Sequence, residues 1–156
     1  MRRKIVLLFM LVLSAAVWAD EAGQSIRFLA HGEDSLVARI SAIKAAKSSI
    51  DLATYVFDPC HSAGQLLLGA MVKKAAQGVK IRVVIDDYEW HEYTKAGLTG
   101  FLTKHHIQFR VFNDQNKIPH TPTPRLHAKI VLIDGESNQP TYFGGGRNSS
   151  DGYVGL

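Results

Sequence analysis

Apolar residues recur at helical spacing in two parts of the chain. Between residues 35 and 47 they stand three or four positions apart, which is typical of an amphipathic helix that Asp34 or Ser35 could cap. Residues 62–77 follow the same pattern, and Gly78 comes next, where a left-handed residue commonly ends a helix. The side chains of this second helix that are expected to face the core are Leu66, Leu67, Ala70 and Met71.

Runs of β-branched, aromatic and other apolar residues predict strands. The predicted strands cover residues 25–30, 49–57, 79–85, 107–112, 126–134 and 141–145. The run 79–85 is almost entirely apolar, which is typical of a strand buried on both faces. Residues 94–104 predict a third helix, whereas three of the five prolines exclude a helix or a central strand from 113–125. This alternation predicts an α/β fold with a mixed, largely parallel sheet and helices on both faces.

The first 19 residues have the composition of an export signal. Arg2, Arg3 and Lys4 precede a thirteen-residue apolar run, and small residues then lead to Ala19. The pattern is that of a cleaved signal peptide, because the apolar run is short for a membrane span of about 20 residues. The sequence therefore predicts a domain over 20–156 that is exported to the periplasm or, if uncleaved, attached to the outer face of the inner membrane.

The basic start also explains the charge of the whole chain. The formal net charge is +4, but three of the 18 Lys and Arg residues lie at positions 2–4, which leaves 15 against 14 Asp and Glu in residues 20–156. A nearly neutral domain gives no electrostatic reason to expect a nucleic-acid partner. With 46% hydrophobic and 21% charged residues, the chain has the composition of a globular protein.

No metal site is predicted. Cys60 is the only cysteine, so it cannot form an intramolecular disulfide, and no second Cys or His stands at ligand spacing from Cys60 and His61. The acidic run at 86–92 follows a predicted strand, where a hard-metal site could form. The sequence favours a solvated acidic loop there.

The residues that could carry chemistry are concentrated between positions 121 and 148. On a strand over 126–134, His127 and Lys129 point to the same side, roughly 7 Å apart. A neutral imidazole can attack phosphorus near neutral pH, and a lysine can stabilise charge on the phosphoryl oxygens. Asp134 lies an odd number of positions from His127 and so points to the opposite face. There it is expected to anchor the strand end or the following turn.

A glycine-rich segment follows this strand. Gly145 and Gly146 would let a ligand approach the backbone closely, and Asn148 offers an amide donor to a phosphate oxygen. Asp151 is a weaker candidate, for orienting a histidine ring. Taken alone, the glycines could mark a bulge at the strand end, and the His and Lys could simply be polar residues at its solvent end.

Together these residues form His-x-Lys-x4-Asp followed by Gly-Gly-x-Asn, and the sequence resembles the phospholipase D superfamily, which has this signature. The matching residues are His127, Lys129, Asp134, Gly145, Gly146 and Asn148. Residues 48–52, 64–68 and 78–87 look like the amino-terminal half of bacterial cardiolipin synthases. The segment 145–153 looks like the Gly-Gly-Arg-Asn-x-x-Asp-x-Tyr of the same group.

The resemblance implies a phosphodiesterase or phosphatidyltransferase that acts on phospholipids at a membrane surface, without metal or organic cofactor. In the family, one histidine attacks phosphorus to form a phosphohistidine, and the histidine of a second His-Lys-Asp half protonates the leaving alcohol. By this resemblance His127 is the nucleophile or the general acid. Lys129 and Asn148 bind the phosphoryl oxygens, and Gly145 and Gly146 allow their approach.

Two features depart from the family pattern. Ten residues separate Asp134 from Gly145, more than family members usually have, so a longer hairpin is expected. The chain ends at Leu156, whereas family domains continue, so we expect a half-domain whose second half is a missing carboxyl-terminal part or another copy. Two alternatives remain open: an exported single-motif endonuclease that works as a homodimer, and an inactive truncated fragment that only binds lipid.

Overall fold

A computed structural model describes residues 24–87, 97–114 and 124–156 of the chain. The predicted signal segment, the start of the predicted third helix and most of the acidic and proline-rich segments lie outside the described residues. Within the described part, no helix has the length and apolar character needed to cross a bilayer.

Helices and strands alternate along the described residues. The helices are α1 (Gly32–Ala45), α2 (Ser62–Ala75), α3 (Leu98–Lys104) and α4 (Asp151–Val154). The strands are β1 (Ser49–Thr54), β2 (Lys80–Asp86), β3 (Gln108–Phe112), β4 (Lys129–Ile133) and β5 (Thr141–Gly144). Gly78 follows α2 with a φ of +87°, as predicted.

The strands form one mixed sheet in the order β3-β2-β1-β4-β5. Strands β1, β2 and β3 are parallel, β4 runs antiparallel to β1, and β5 runs antiparallel to β4. This confirms the predicted α/β fold with a mixed, largely parallel sheet. Because of these directions, the carboxyl ends of β1, β2 and β5 lie at the same edge of the sheet as the start of β4.

The described helices pack against one face of this sheet. Leu52 of β1 and Val131 of β4 line a small apolar cavity together with residues of α1 and α2. Helix α3 lies beside α2, since Phe101 and Leu68 line one cleft. Strands β1, β2 and β3 are parallel and lie side by side in chain order. Right-handed crossovers between strands in this arrangement place both connecting helices on the same face of the sheet. The helical layer expected on the opposite face is not found among the described residues.

The exposure of β2 follows from this arrangement. Ile81, Val83 and Ile85 are buried under the helices, whereas Lys80 and Arg82 point to the other face and are exposed. The prediction that this strand is buried on both faces is therefore wrong.

Other predictions are wrong at positions where contacts between distant parts of the chain determine the local structure. Ser25 forms a single bridge but residues 26–30 form no strand within the described part, and Ile26 and Phe28 are 77% and 89% exposed. Leu66 is exposed rather than packed in the core. Helix α1 begins at Gly32, before the predicted capping residues. A Cβ on Gly32 would lie 2.6 Å from the Cα of Val154, so glycine lets α1 start directly against α4.

Candidate active site

The signature residues meet at the edge of the sheet where β4 begins. Regular pairing starts at Lys129, opposite Thr54, so β4 is shorter than predicted and His127 lies in the irregular segment just before it. Asn148 reaches the same edge because β5 runs back beside β4 and ends there. The fold therefore gathers His127, Lys129 and Asn148 at one end of the sheet.

Tyr55, which the sequence did not single out, contacts both the histidine and the lysine. Its N–H donates a hydrogen bond of 3.1 Å to the carbonyl of Ala128, which continues the pairing of β1 with the chain before β4. The Tyr55 and His127 rings meet edge to face with centroids 5.1 Å apart, and the Lys129 Nζ lies 5.4 Å from the Tyr55 ring centre. Both contacts are attractive. The one signal for Tyr55 in the sequence is an aromatic residue near the end of a predicted strand.

The lysine also touches the backbone of the histidine. Its Nζ donates a hydrogen bond of 2.9 Å to the His127 carbonyl oxygen, and burial lowers the pKa of Lys129. The His127 side chain is exposed, so a phosphodiester can reach its imidazole. An accessible imidazole and an ammonium group that contact the same Tyr55 ring suit attack on an anionic phosphodiester, because the cation can offset the charge that collects on the phosphoryl oxygens.

Asn148 is held by the chain that continues from β1. Its side-chain carbonyl oxygen accepts a hydrogen bond of 3.3 Å from the Val56 N–H, and only 1% of its surface is exposed. The next residue, Ser149, forms a parallel bridge with Phe57. With its oxygen engaged as an acceptor, the side-chain NH2 of Asn148 is the group that can donate to a phosphate oxygen.

The two signature glycines face open space. Gly145 and Gly146 are exposed, and a Cβ built on either would meet no described atom within 4 Å. Packing inside the described chain therefore does not require glycine at these positions. The absence of side chains here leaves the backbone open to a ligand.

Asp134 lies at the opposite end of β4 and anchors the turn between α1 and β1. Its carboxylate accepts hydrogen bonds from the N–H groups of Lys47, Ser48 and Ser49, at 2.7 to 3.0 Å, and from the Ser48 hydroxyl. Burial acts to raise the pKa of this carboxyl, but the hydrogen bonds outweigh it and hold the pKa well below its ordinary value. Asp134 thus joins two turns and does not contact His127.

Replacing Asp134 by Asn should lower the free energy of unfolding by about 2 kcal/mol at pH 7, since hydrogen bonds to a charged acceptor each contribute about 1.5–3 kcal/mol. A carboxyl whose pKa is depressed in the folded state stabilises the protein at pH values above its ordinary pKa of about 4. This contribution is lost as the pH falls from there through the pKa of the folded state. Urea unfolding between pH 7 and pH 3 should therefore show a difference between wild type and variant that shrinks with acidity.

Glu136, an exposed residue of the turn that follows Asp134, supplies the matched control. The Glu136→Gln variant should unfold within about 0.5 kcal/mol of wild type. Equal stability of the Asp134→Asn variant and wild type at pH 7 would contradict the anchoring role, as would a difference that grows in acid.

Asp86 and Asp87, at the end of β2, are both buried, and Asp86 is 0% exposed. The prediction of a solvated acidic loop is therefore wrong for these two residues, and the rest of that run lies outside the described residues. The Asp86 carboxylate accepts hydrogen bonds from the Leu126 N–H at 2.6 Å and from the Arg125 guanidinium at 3.1 Å. Within the ranges that the structure describes, no three His, Cys, Asp or Glu side chains gather as metal ligands.

Asp151 caps α2 and does not orient a histidine ring within the described chain. Its carboxylate oxygens accept the N–H groups of Ala63 at 2.7 Å and Ser62 at 3.2 Å. These N–H groups belong to the first turn of a helix, where they have no intrahelical partner and where negative charge is favourable. The segment after Asn148 is therefore fixed to the start of α2.

A family model described as cardiolipin synthase, PLD-like domain, matches residues 39–154. Among curated proteins, cardiolipin synthase B of Salmonella typhi is 31% identical over 115 residues, which is 72% of this chain. The major cardiolipin synthase ClsA of Bacillus subtilis is 28% identical over 152 residues, which is 96% of this chain. The matches cover 27% and 30% of these two relatives, so the chain spans less than a third of their length.

Solved structures share the fold. NucT from Helicobacter pylori superposes with a TM-score of 0.61 at 22% identity, covering 79% of this chain and 72% of that chain. This similarity confirms the predicted phospholipase D-like architecture.

Proposed function

The chain belongs to the cardiolipin synthase, PLD-like domain family, as its resemblance implied, and from this membership we propose that it is a phosphodiesterase-type enzyme acting on phospholipids. One observation carries the proposal: the exposed imidazole of His127 and the ammonium of Lys129 lie against the same Tyr55 ring. A candidate nucleophile and a positive charge therefore contact the same ring at an open edge of the sheet.

In the proposed reaction His127 is the nucleophile. An imidazole nitrogen attacks phosphorus, the bond from phosphorus to the leaving oxygen breaks, and the phosphatidyl group stays on His127 while a general acid protonates the leaving alkoxide. Lys129 offsets the charge on the phosphoryl oxygens, and the NH2 group of Asn148 donates to one of them. Water or a lipid alcohol then attacks the phosphohistidine, which releases the product and restores the imidazole.

The general acid comes from a second His-Lys-Asp half. The chain contains one such signature, and it matches less than a third of each cardiolipin synthase. We assign the second half to the carboxyl-terminal part of a longer protein or to another copy of this chain. Either source would bring a second histidine to the phosphorus.

A phospholipid is favoured over a nucleic acid on two grounds. The family model is described as a cardiolipin synthase domain, and the two relatives described above are cardiolipin synthases. In addition, residues 20–156 carry nearly equal numbers of positive and negative side chains, whereas binding to a nucleic-acid backbone relies on excess positive charge. The predicted signal segment would bring the enzyme to the periplasm or to the outer face of the inner membrane, where phospholipid head groups are accessible.

A substrate with a good leaving group tests the proposal without requiring the second half. Phosphatidyl-p-nitrophenol releases an anion that is stable near neutral pH, so attack by His127 needs no general acid. We expect a burst of p-nitrophenol stoichiometric with protein, and a much slower burst from the nucleotide diester thymidine 5′-(p-nitrophenyl phosphate). A faster burst from the nucleotide would contradict the lipid assignment and favour the endonuclease alternative. No burst from either substrate would favour the inactive lipid-binding fragment.

A further inference from the structure

The backbone that carries His127 is not held by the sheet. Residues 124–128 adopt no regular structure, and the β4 ladder begins only at Lys129. Local hydrogen bonds fix part of the segment, since the His127 N–H donates to the Arg125 carbonyl at 3.0 Å and the Ala128 carbonyl accepts the Tyr55 N–H. Neither of these bonds fixes Leu126, the residue directly before the histidine.

Asp86 supplies the missing connection. One carboxylate oxygen accepts the Leu126 N–H at 2.6 Å, and the other accepts the Arg125 guanidinium at 3.1 Å. A single side chain thus binds the two residues that precede His127. Because β1 lies between β2 and β4 in the sheet, this carboxylate reaches across the end of β1 to do so.

The burial of Asp86 makes this connection rigid. The residue is 0% exposed, whereas 40% of the Arg125 side chain is exposed. A carboxylate removed from water is strongly unfavourable unless charge and hydrogen bonds compensate it, so the folded state keeps these contacts closed. Movement of the segment before His127 would break charge-assisted hydrogen bonds that water cannot replace.

We propose that Asp86 is a positioning residue for His127, holding the Arg125–Leu126 backbone so that the imidazole stays against the Tyr55 ring. The carboxylate acts through the backbone and touches neither the substrate nor the imidazole. The inference rests on the proposed function only for the chemical role of the His127 imidazole. The position of the ring can be measured independently of activity.

The test compares Asp86→Asn and Arg125→Gln with wild type by NMR of histidine-labelled protein. The His127 ring signals are assigned by their loss in His127→Asn, and Tyr55→Leu defines their position without the neighbouring ring. In both variants we expect the signals to move from the wild-type position toward the Tyr55→Leu position. The burst from phosphatidyl-p-nitrophenol should slow about 10- to 100-fold, because small misplacement of a reacting group has effects of this size.

A second ion pair on the same sheet gives the matched control. Asp51 of β1 binds Arg82 of β2 through two hydrogen bonds, one of them 2.7 Å long, on the face away from the helices. Asp51→Asn also removes an Asp–Arg pair from the sheet, yet it should leave the His127 signals and the burst unchanged. Arg125→Gln changes a partly exposed residue, so it keeps the test usable if Asp86→Asn does not fold.

The outcomes separate this inference from the proposed function. Folded variants with wild-type His127 signals would overturn the positioning role, even if wild type shows the burst. Displaced signals in the two variants, with wild-type signals in Asp51→Asn, would support the role even if wild type releases no p-nitrophenol. In that last case the proposed function alone would fail.

Discussion

The His127→Asn variant should lose the p-nitrophenol burst from phosphatidyl-p-nitrophenol, with the rate falling by roughly 10⁴-fold or more, the range seen when a nucleophile is removed. The physical reason is that no other group in the variant supplies the nitrogen atom that bonds to phosphorus. Because the side chain is exposed, thermal unfolding should stay close to wild type. Rapid-quench measurement of p-nitrophenol and phosphorus NMR of the trapped phosphohistidine both report the loss.

His61 provides the matched control for this substitution. It is also an exposed histidine, and its Nδ1 lies 2.6 Å from an Asp58 carboxylate oxygen near the start of α2. The His61→Asn variant should keep the burst. A wild-type burst in His127→Asn, or a burst lost in His61→Asn alone, would contradict the assignment of the nucleophile.

A monomer of this chain should show no turnover of a natural phospholipid such as phosphatidylglycerol, even where it shows the burst with the p-nitrophenyl ester. An alkoxide leaves poorly unless it is protonated, and the imidazole that has attacked phosphorus cannot also protonate the leaving oxygen. General-acid assistance is typically worth about 10² to 10⁴ in rate. The difference between the two substrates should therefore be large.

Assembly should restore the missing proton donor. If two copies pair symmetrically, His127 of each copy can serve the other, so activity per chain should rise with protein concentration and fall on dilution. Light scattering on the same samples gives the mass of the active species. Turnover of phosphatidylglycerol by a demonstrated monomer would show that one signature is sufficient and would contradict the need for a second half.

Helices and strands were predictable where local spacing and packing agree. The stripe along α2 and the apolar run of β2 both correspond to elements at the predicted places. The prediction of a strand was wrong at residues 26–30, which pair with no strand among the described residues, because the spacing of residues along one segment does not report whether a partner strand lies beside it. The one-turn helix α4 is too short to show a helical period.

The sequence by itself identified the groups that we propose for the site, because the signature contains them: the imidazole of His127, the ammonium of Lys129 and the amide of Asn148. The sequence also predicted that Asp134 anchors a turn and does not orient His127, but in the structure the two residues lie beyond opposite ends of β4, where alternation along the strand does not apply. Only the tertiary structure decided what supports these groups. Tyr55 stands 72 positions before His127, and Asp86 stands 40 positions before Leu126. Such contacts depend on which strands become neighbours, and no local pattern of residues encodes that choice.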